Sequence, residues 1–240
     1  MTVDCDTAYP FKDTLTYTIK SESPMEFYVR VPEWASPDAS VKVNSKTSSL
    51  SPDYKTGMHK IKISKGKTTI TYTLPSVIRT ESRENDTIAV YKGSVLYALE
   101  VSNHNTSTTP KPWWNPNYGS EHYNKSYYPE QSRDWTYHNT SAWNYAIDKS
   151  TLKYHSNAAA SDGTSLASPL FAPGGPPGYM TAQACEIDWP MAFGGSVPGY
   201  PPNGDKKKCM SDSIEVKLVP YASAKTHMAE LPVIDLSSSV

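Results

Sequence analysis

The chain has little of what marks several large classes of protein. Its 240 residues include only three cysteines and four phenylalanines, and its formal net charge is −1. No apolar run approaches the roughly 18 residues that a membrane-spanning helix needs. Lys and Arg do not outnumber Asp and Glu, so the chain has no excess of basic residues with which to bind nucleic acid or an anionic membrane. We therefore expect neither of these as a partner.

Motifs for metal, cofactor and nucleophile chemistry are also missing. The sequence has no C-x-x-C pair, its six histidines show no metal-ligand spacing, and no glycine-rich phosphate loop occurs. The segment 163–169 is similar to the nucleophile segment of subtilisin-type proteases, but the His and Asp segments that such an enzyme needs are absent. We expect no metal and no cofactor, and we leave the catalytic residues unassigned.

Short runs of alternating apolar and polar residues dominate the first third of the chain. Leu15, Tyr17 and Ile19 share one face of such a run, and further runs surround residues 27–31, 41–43, 61–63 and 70–74. This period of two is typical of half-buried strands, whereas no segment sustains the 3.6-residue period of a helix. The pattern predicts an all-β fold with very little helix, made of two antiparallel, jelly-roll-like β-sandwiches at residues 1–84 and 85–240.

Tyrosine and tryptophan are abundant, with 17 and 6 residues, and many lie between residues 113 and 145. Such side chains suit ligand grooves because they combine an apolar face with a polar tip. The alternative is that these rings only pack the second sandwich. The candidate substrate-binding residues are Trp113, Trp114, Tyr118, Tyr123, Tyr127, Trp135 and Trp189.

Four Asn-X-Ser/Thr triplets predict N-glycosylation and therefore a secretory or extracellular location. They begin at Asn85, Asn105, Asn124 and Asn139. Cys185 and Cys209 flank a loop rich in proline and glycine and could form a disulfide, which would leave Cys5 without a partner in this chain.

Three segments carry a resemblance to a known family. They are Tyr9–Leu15 (YPFKDTL), Phe27–Ala35 (FYVRVPEWA) and Gly93–Leu99 (GSVLYAL), with a further match at Leu218–Tyr221 (LVPY). They resemble the C-terminal β-sandwich region of fungal family 127 glycoside hydrolases, which are β-L-arabinofuranosidase-like proteins with a helical six-hairpin barrel. The residues that would form the catalytic barrel are absent from this sequence, so the resemblance implies the fold but carries over no catalytic residue.

Three functions are compatible with these observations. The chain also resembles, in its sandwiches and triplets, the fungal hetero-Diels–Alderases of secondary metabolism. This resemblance implies a cofactor-free [4+2] cyclase that joins a tropolone-derived quinone methide to a humulene-type sesquiterpene. The alternatives are a non-catalytic accessory region of an arabinofuranosidase-like hydrolase and a free-standing carbohydrate-binding module. The cyclase is the favoured hypothesis; hydrolysis is not expected of this chain alone.

The expected partners are small apolar or aromatic substrates or carbohydrate, and a second copy in a homodimer could cover a former barrel-facing surface.

Overall fold

The computed structural model describes residues 1–110, 131–156, 166–195 and 197–237. In this part of the chain the helical segments are 3-10 turns of three residues each, and no helix has the length and apolar character to cross a membrane. The predicted all-β fold with very little helix is confirmed. The strands are β1 (Thr2–Thr7), β2 (Thr14–Ser21), β3 (Met25–Arg30), β4 (Ser40–Val43), β5 (Lys46–Ser49), β6 (Met58–Ile63), β7 (Gly66–Thr73), β8 (Ile78–Arg83), β9 (Thr87–Lys92), β10 (Val95–Glu100), β11 (Asn103–Thr108), β12 (Asp134–Asn139), β13 (Tyr145–Ile147), β14 (Lys153–Ser156), β15 (Gly178–Glu186), β16 (Met191–Ala192), β17 (Val197–Pro198), β18 (Ile214–Pro220), β19 (His227–Met228) and β20 (Leu231–Pro232).

The N-terminal strands form two facing layers. One layer is a five-stranded antiparallel sheet in the order β1-β2-β7-β4-β5, and the other is the pair β3-β6. Alternate side chains turn inward because successive residues of a strand point to opposite faces. Ile19 and Ile70 of the five-stranded sheet and Val29 and Ile61 of the pair belong to one buried cluster. The two layers therefore enclose a common core, as in a β-sandwich.

The second unit is built on a nine-stranded sheet. Its main order is β13-β15-β18-β10-β9-β20, with β14, β19 and β8 pairing with β15, β10 and β9. Tyr97, Leu99, Met180, Leu218 and Leu231 form the centre of its buried cluster. The sheet draws strands from residues 78 to 232, so its stability depends on contacts between segments that are distant in the sequence.

Hydrogen bonds and an aromatic contact, between Phe11 and Phe171, join the two units. The Ser76 hydroxyl donates to the Asp13 carboxylate at 2.6 Å, and Lys92 Nζ donates to the same hydroxyl at 2.5 Å. The Tyr9 hydroxyl donates to Ser94 Oγ at 2.8 Å. Strand β8 pairs with β9 of the second sheet, although the predicted boundary after residue 84 places it in the first unit. By strand pairing, the chain changes unit between residues 74 and 78.

A small third cluster lies where β15 ends. Its buried residues are Ala146, Cys185, Ile187 and Trp189. Cys185 forms a disulfide with Cys209, the pairing considered from the sequence, and this bond ties the loop after β17 to the sheet. Cys5 is exposed on β1 and is a free thiol.

The hairpin β11–β12 differs from the sequence-based expectation, which assigned most of residues 103–145 to ordered loop. The two strands pair antiparallel over six residue pairs, from Asn103–Asn139 to Thr108–Asp134. The β11 sequence, NHNTST, has no alternation of apolar and polar residues, and in the β12 sequence, DWTYHN, only Trp135 and Tyr137 alternate with polar residues. Both faces of the pair are largely exposed, and a strand that buries neither face has little hydrophobic period to detect.

Candidate functional site

The hairpin β11–β12 brings two aromatic rings onto one exposed face. Trp135 and Tyr137 are two residues apart on β12 and therefore point the same way. Their ring centroids lie 6.5 Å apart and their planes differ by 28°. The Trp135 side chain is 55% exposed, whereas Tyr137 is half-buried. The pair therefore presents a broad aromatic surface to solvent.

Amide and hydroxyl side chains lie directly opposite these rings. Asn105 of β11 pairs with Tyr137, and Ser107 pairs with Trp135. Residues that face each other across an antiparallel pair have side chains on the same face, with Cβ atoms about 5 Å apart. The aromatic surface is therefore bordered along one side by groups that can donate and accept hydrogen bonds.

Both ends of the hairpin are fixed by hydrogen bonds. Near the base, the backbone N–H of Thr140 donates to the Ser102 carbonyl at 2.7 Å, and the N–H of Ser102 donates to Ser141 Oγ at 3.0 Å. Towards the other end, Arg133 Nη2 donates to the Ser107 carbonyl at 3.0 Å. These bonds hold the ring pair in place before any ligand arrives, which reduces the entropy lost on binding.

A groove of about 450 Å³ runs between this hairpin and the second sheet, and we call it the hairpin groove. Trp135, Tyr137, Asn103 and Asn105 line one wall, and the opposite side includes Glu100, Pro173, Ser223 and Lys225. The Glu100 carboxylate also forms an ion pair with Lys217 at 3.0 Å. The groove thus combines an aromatic wall, two amides and charged groups of both signs, which is the usual composition of a site for a polar ligand with apolar faces.

A second groove of about 310 Å³ lies on the other side of Tyr137, and we call it the histidine groove. Its lining residues include Trp143, His138, His227 and Met191. His227 Nδ1 lies 3.1 Å from the Ala224 carbonyl oxygen, within hydrogen-bond distance. This groove therefore brings a tryptophan, a methionine and two histidines together in its lining.

Few of the described residues that line the hairpin groove have side chains that take part in acid–base chemistry. Glu100 is the carboxylate that lines the hairpin groove, whereas hydrolysis of a glycosidic bond ordinarily uses two carboxyl groups on either side of that bond. Away from the grooves, in the core of the second sheet, burial raises the pKa of Tyr97 and of Tyr154, and both phenols stay protonated at neutral pH. Within the described ranges, no group of three or more His, Cys, Asp or Glu residues could hold a metal ion.

Of the residues predicted to bind substrate, the structure describes Trp135 and Trp189, and it places them in different environments. Trp135 lines the hairpin groove, whereas Trp189 is only 5% exposed. Trp189 Nε1 donates to the Gly199 carbonyl at 2.8 Å, and its ring packs edge-to-face on Trp143 at 5.1 Å. Trp189 is thus a core residue and does not present its ring to a ligand. The predicted residues Trp113, Trp114, Tyr118, Tyr123 and Tyr127 lie outside the described residues.

The predicted glycosylation sites occupy different local structures. Asn105 and Asn139 are exposed on the two strands of the hairpin. Asn85 lies in a 3-10 turn between β8 and β9 with a φ of 54°, a left-handed conformation that Asn tolerates better than most residues. Asn124 lies outside the described residues.

Tyr137, Asn103 and Asn105 were not among the residues predicted to bind substrate. One signal was available in the sequence, since Trp135 and Tyr137 are separated by a single residue and a strand places such a pair on one face. The sequence does not indicate that β11 pairs with β12, because residues 109–133 separate the two strands and no short turn marks a hairpin. The groove could therefore be found only from the pairing of the two strands.

These features define an all-β protein with a pre-formed aromatic groove on a surface hairpin. No protein-family model matches the sequence, and no curated protein matches it. Solved structures with a similar fold include a GH127 β-L-arabinofuranosidase from Geobacillus stearothermophilus T6, with a TM-score of 0.53 and 16% identity over 96% of this chain and 29% of that chain.

Two further solved structures give the same result. One is a glycoside hydrolase with a TM-score of 0.54 and 12% identity, covering 97% of this chain and 32% of that chain. The other is a GH127 β-arabinofuranosidase with a TM-score of 0.52 and 13% identity, covering 98% of this chain and 32% of that chain. The chain spans about a third of the length of these proteins. It therefore has the fold of part of a GH127-type protein, as the resemblance implied, and at these identities the comparison shows the fold alone. The comparisons give no support to the Diels–Alderase resemblance.

Proposed function

We propose that this chain is a non-catalytic β-sandwich unit that binds carbohydrate in the hairpin groove. The observation that carries the proposal is the near-parallel pair of the exposed Trp135 and the half-buried Tyr137 beside the amide of Asn105. A sugar ring has an apolar C–H face that packs on an aromatic ring, and its hydroxyls exchange hydrogen bonds with amides and charged groups. The hairpin groove offers both kinds of contact on one surface.

The fold neighbours suggest which sugars to test first. Two of them are named as arabinofuranosidases, so β-L-arabinofuranosides are the natural first ligands. A unit of this kind would hold a polysaccharide while chemistry takes place elsewhere, and it needs neither a metal nor a pair of carboxylates. Glu100 and Lys225 would then contribute hydrogen bonds at the edge of the groove.

Removal of the Trp135 ring is expected to weaken sugar binding about tenfold or more, equivalent to ~1.4 kcal/mol, because a central aromatic contact is lost. The measurement is isothermal titration of β-L-arabinofuranosides and arabinose-containing oligosaccharides into the wild-type chain and Trp135→Ala. Tyr54→Ala is the matched control, since Tyr54 is 87% exposed and lies in the first unit. Equal affinity in all three proteins would contradict the proposed role of the ring pair.

The cofactor-free [4+2] cyclase is a second candidate, and the histidine groove is the observation that favours it. Holding two apolar reactants in a near-attack arrangement can accelerate a cycloaddition without a nucleophile or a metal. Trp143 and Met191 would contact the terpene, while His138 or His227 would donate a hydrogen bond to the carbonyl oxygen of the quinone methide.

One assay separates the two candidates. A thermal-shift series would compare arabinosides with tropolones and humulene-type terpenes, using the wild-type chain and His138→Ala. A ligand at 100 times its dissociation constant stabilises by about 2.7 kcal/mol. A shift with the tropolone or terpene that His138→Ala removes would support the cyclase and justify a turnover assay, whereas a shift with sugars alone would count against it.

A further inference from the structure

One of the predicted glycosylation sites lies inside the hairpin groove. The triplet Asn105-Thr106-Ser107 occupies β11, and Asn105 and Ser107 pair with Tyr137 and Trp135. The Asn105 side chain lines the same groove as both rings. Asn105 is exposed, so its amide is accessible to a modifying enzyme and, once modified, would point along the aromatic wall.

The spacing allows an attached sugar to reach both rings. Tyr137 is the residue directly opposite Asn105, about 5 Å away between Cβ atoms, and Trp135 is a diagonal neighbour at about 7–8 Å. Large side chains interact over both distances in an antiparallel pair. The first sugar residues on Asn105 Nδ2 would therefore lie over exposed aromatic surface rather than in bulk solvent.

The other described triplets lack this arrangement. Asn85 lies in a turn between β8 and β9, away from the ring pair. The Asn139 side chain donates to the Ser141 carbonyl at 3.2 Å and pairs across the hairpin with Asn103 rather than with an aromatic residue. Asn105 is thus distinguished from them by the aromatic residue on the facing strand.

We propose that an N-linked glycan on Asn105 packs against Trp135 and Tyr137 and occupies the hairpin groove of the secreted protein. Attachment forms a bond between Asn105 Nδ2 and C1 of N-acetylglucosamine, breaks the bond from that C1 to a lipid-linked diphosphate donor, and releases the amide proton. The inference rests on the proposed function, because it uses the affinity of the same rings for sugar. The glycan then controls the site: the glycosylated chain binds external sugar weakly, and the unglycosylated chain binds it fully.

The test uses the full chain produced in a eukaryotic secretory host. Mass spectrometry of the peptide that contains Asn105 measures occupancy, and titration with an arabinose-containing oligosaccharide measures affinity. Ser107→Ala removes the acceptor triplet while keeping the Asn105 amide in the groove, and Asn139→Gln is the matched control on the other strand. We expect Ser107→Ala to bind the oligosaccharide at least tenfold more tightly than the glycosylated wild type, and Asn139→Gln to match the wild type.

A second measurement separates this inference from the proposed function. Enzymatic removal of the glycans should lower the melting temperature of the wild-type chain by roughly 2–4 °C, and the change should vanish when Trp135 and Tyr137 are both replaced by Ala, as in a double-mutant cycle. If the unglycosylated chain binds no sugar, the proposed function fails. A drop in melting temperature that occurs only when Trp135 and Tyr137 are present would still support packing of the glycan on the two rings. An unoccupied Asn105, or equal effects with and without the rings, would overturn the inference.

Discussion

Replacement of Trp189 with Ala is expected to lower the free energy of unfolding by about 3–5 kcal/mol, the usual cost of truncating a large buried aromatic side chain. Trp189 packs on Trp143 and against a cluster that includes Cys185 and Ile187. Truncation would leave a cavity in that cluster and remove the hydrogen bond from Nε1 to the Gly199 carbonyl. The effect should therefore be on stability, with little change in sugar affinity for the fraction that remains folded.

Chemical denaturation of the wild type, Trp189→Ala and Trp135→Ala measures this difference. Trp135→Ala is the internal comparison, since substitution of an exposed side chain should change the free energy of unfolding by only about 0.5 kcal/mol. A Trp189→Ala chain as stable as the wild type but unable to bind ligand would show that Trp189 is a ligand contact, contrary to the buried position described above.

Loss of the Cys185–Cys209 disulfide is the other large expected effect. The bond joins residues 24 positions apart, and a closed loop of this size stabilises the folded chain by about 3–4 kcal/mol, chiefly by restricting the unfolded state. Cys185 is also buried in the cluster around Trp189. The double variant Cys185→Ala/Cys209→Ala should therefore unfold at a distinctly lower denaturant concentration than the wild type.

Cys5 provides the matched control for the disulfide. It is exposed and free on β1, so Cys5→Ser should leave stability within about 0.5 kcal/mol of the wild type. Added reductant should reproduce the destabilisation in the wild type and in Cys5→Ser but have no effect on the double variant. A wild-type chain that is insensitive to reductant would contradict a stabilising role for the bond.

The strands with one buried face were predictable from the sequence. Alternation in Leu15, Tyr17 and Ile19 corresponds to β2, and the pattern around Ile70 corresponds to β7. Strands β1 and β5 were not predicted, because all their residues are exposed and their side chains follow no apolar period. Hydrophobic patterning identifies strands by the face that they bury, so it misses those that bury none.

The candidate site was only partly predictable for a related reason. Trp135 and Trp189 were selected from the sequence by residue type, yet one is exposed in a groove and the other is in a core. Residue type does not distinguish these environments, since Trp is common both in cores and at binding surfaces. Asn105 belongs to the site because it pairs with Tyr137 across the hairpin. That pairing joins segments separated by more than twenty residues, so the sequence does not indicate it.

The most direct test of carbohydrate binding at the hairpin groove is a saturation-transfer NMR titration of an arabinose-containing oligosaccharide with the Ser107→Ala chain, which cannot carry a glycan on Asn105. We predict saturation transfer to the sugar ring protons, which requires close contact with the protein. The transfer should be strongly reduced when Trp135 and Tyr137 are both replaced by Ala in the same background. The same signal in the presence and absence of the two rings, or no signal for any sugar at millimolar concentration, would contradict it.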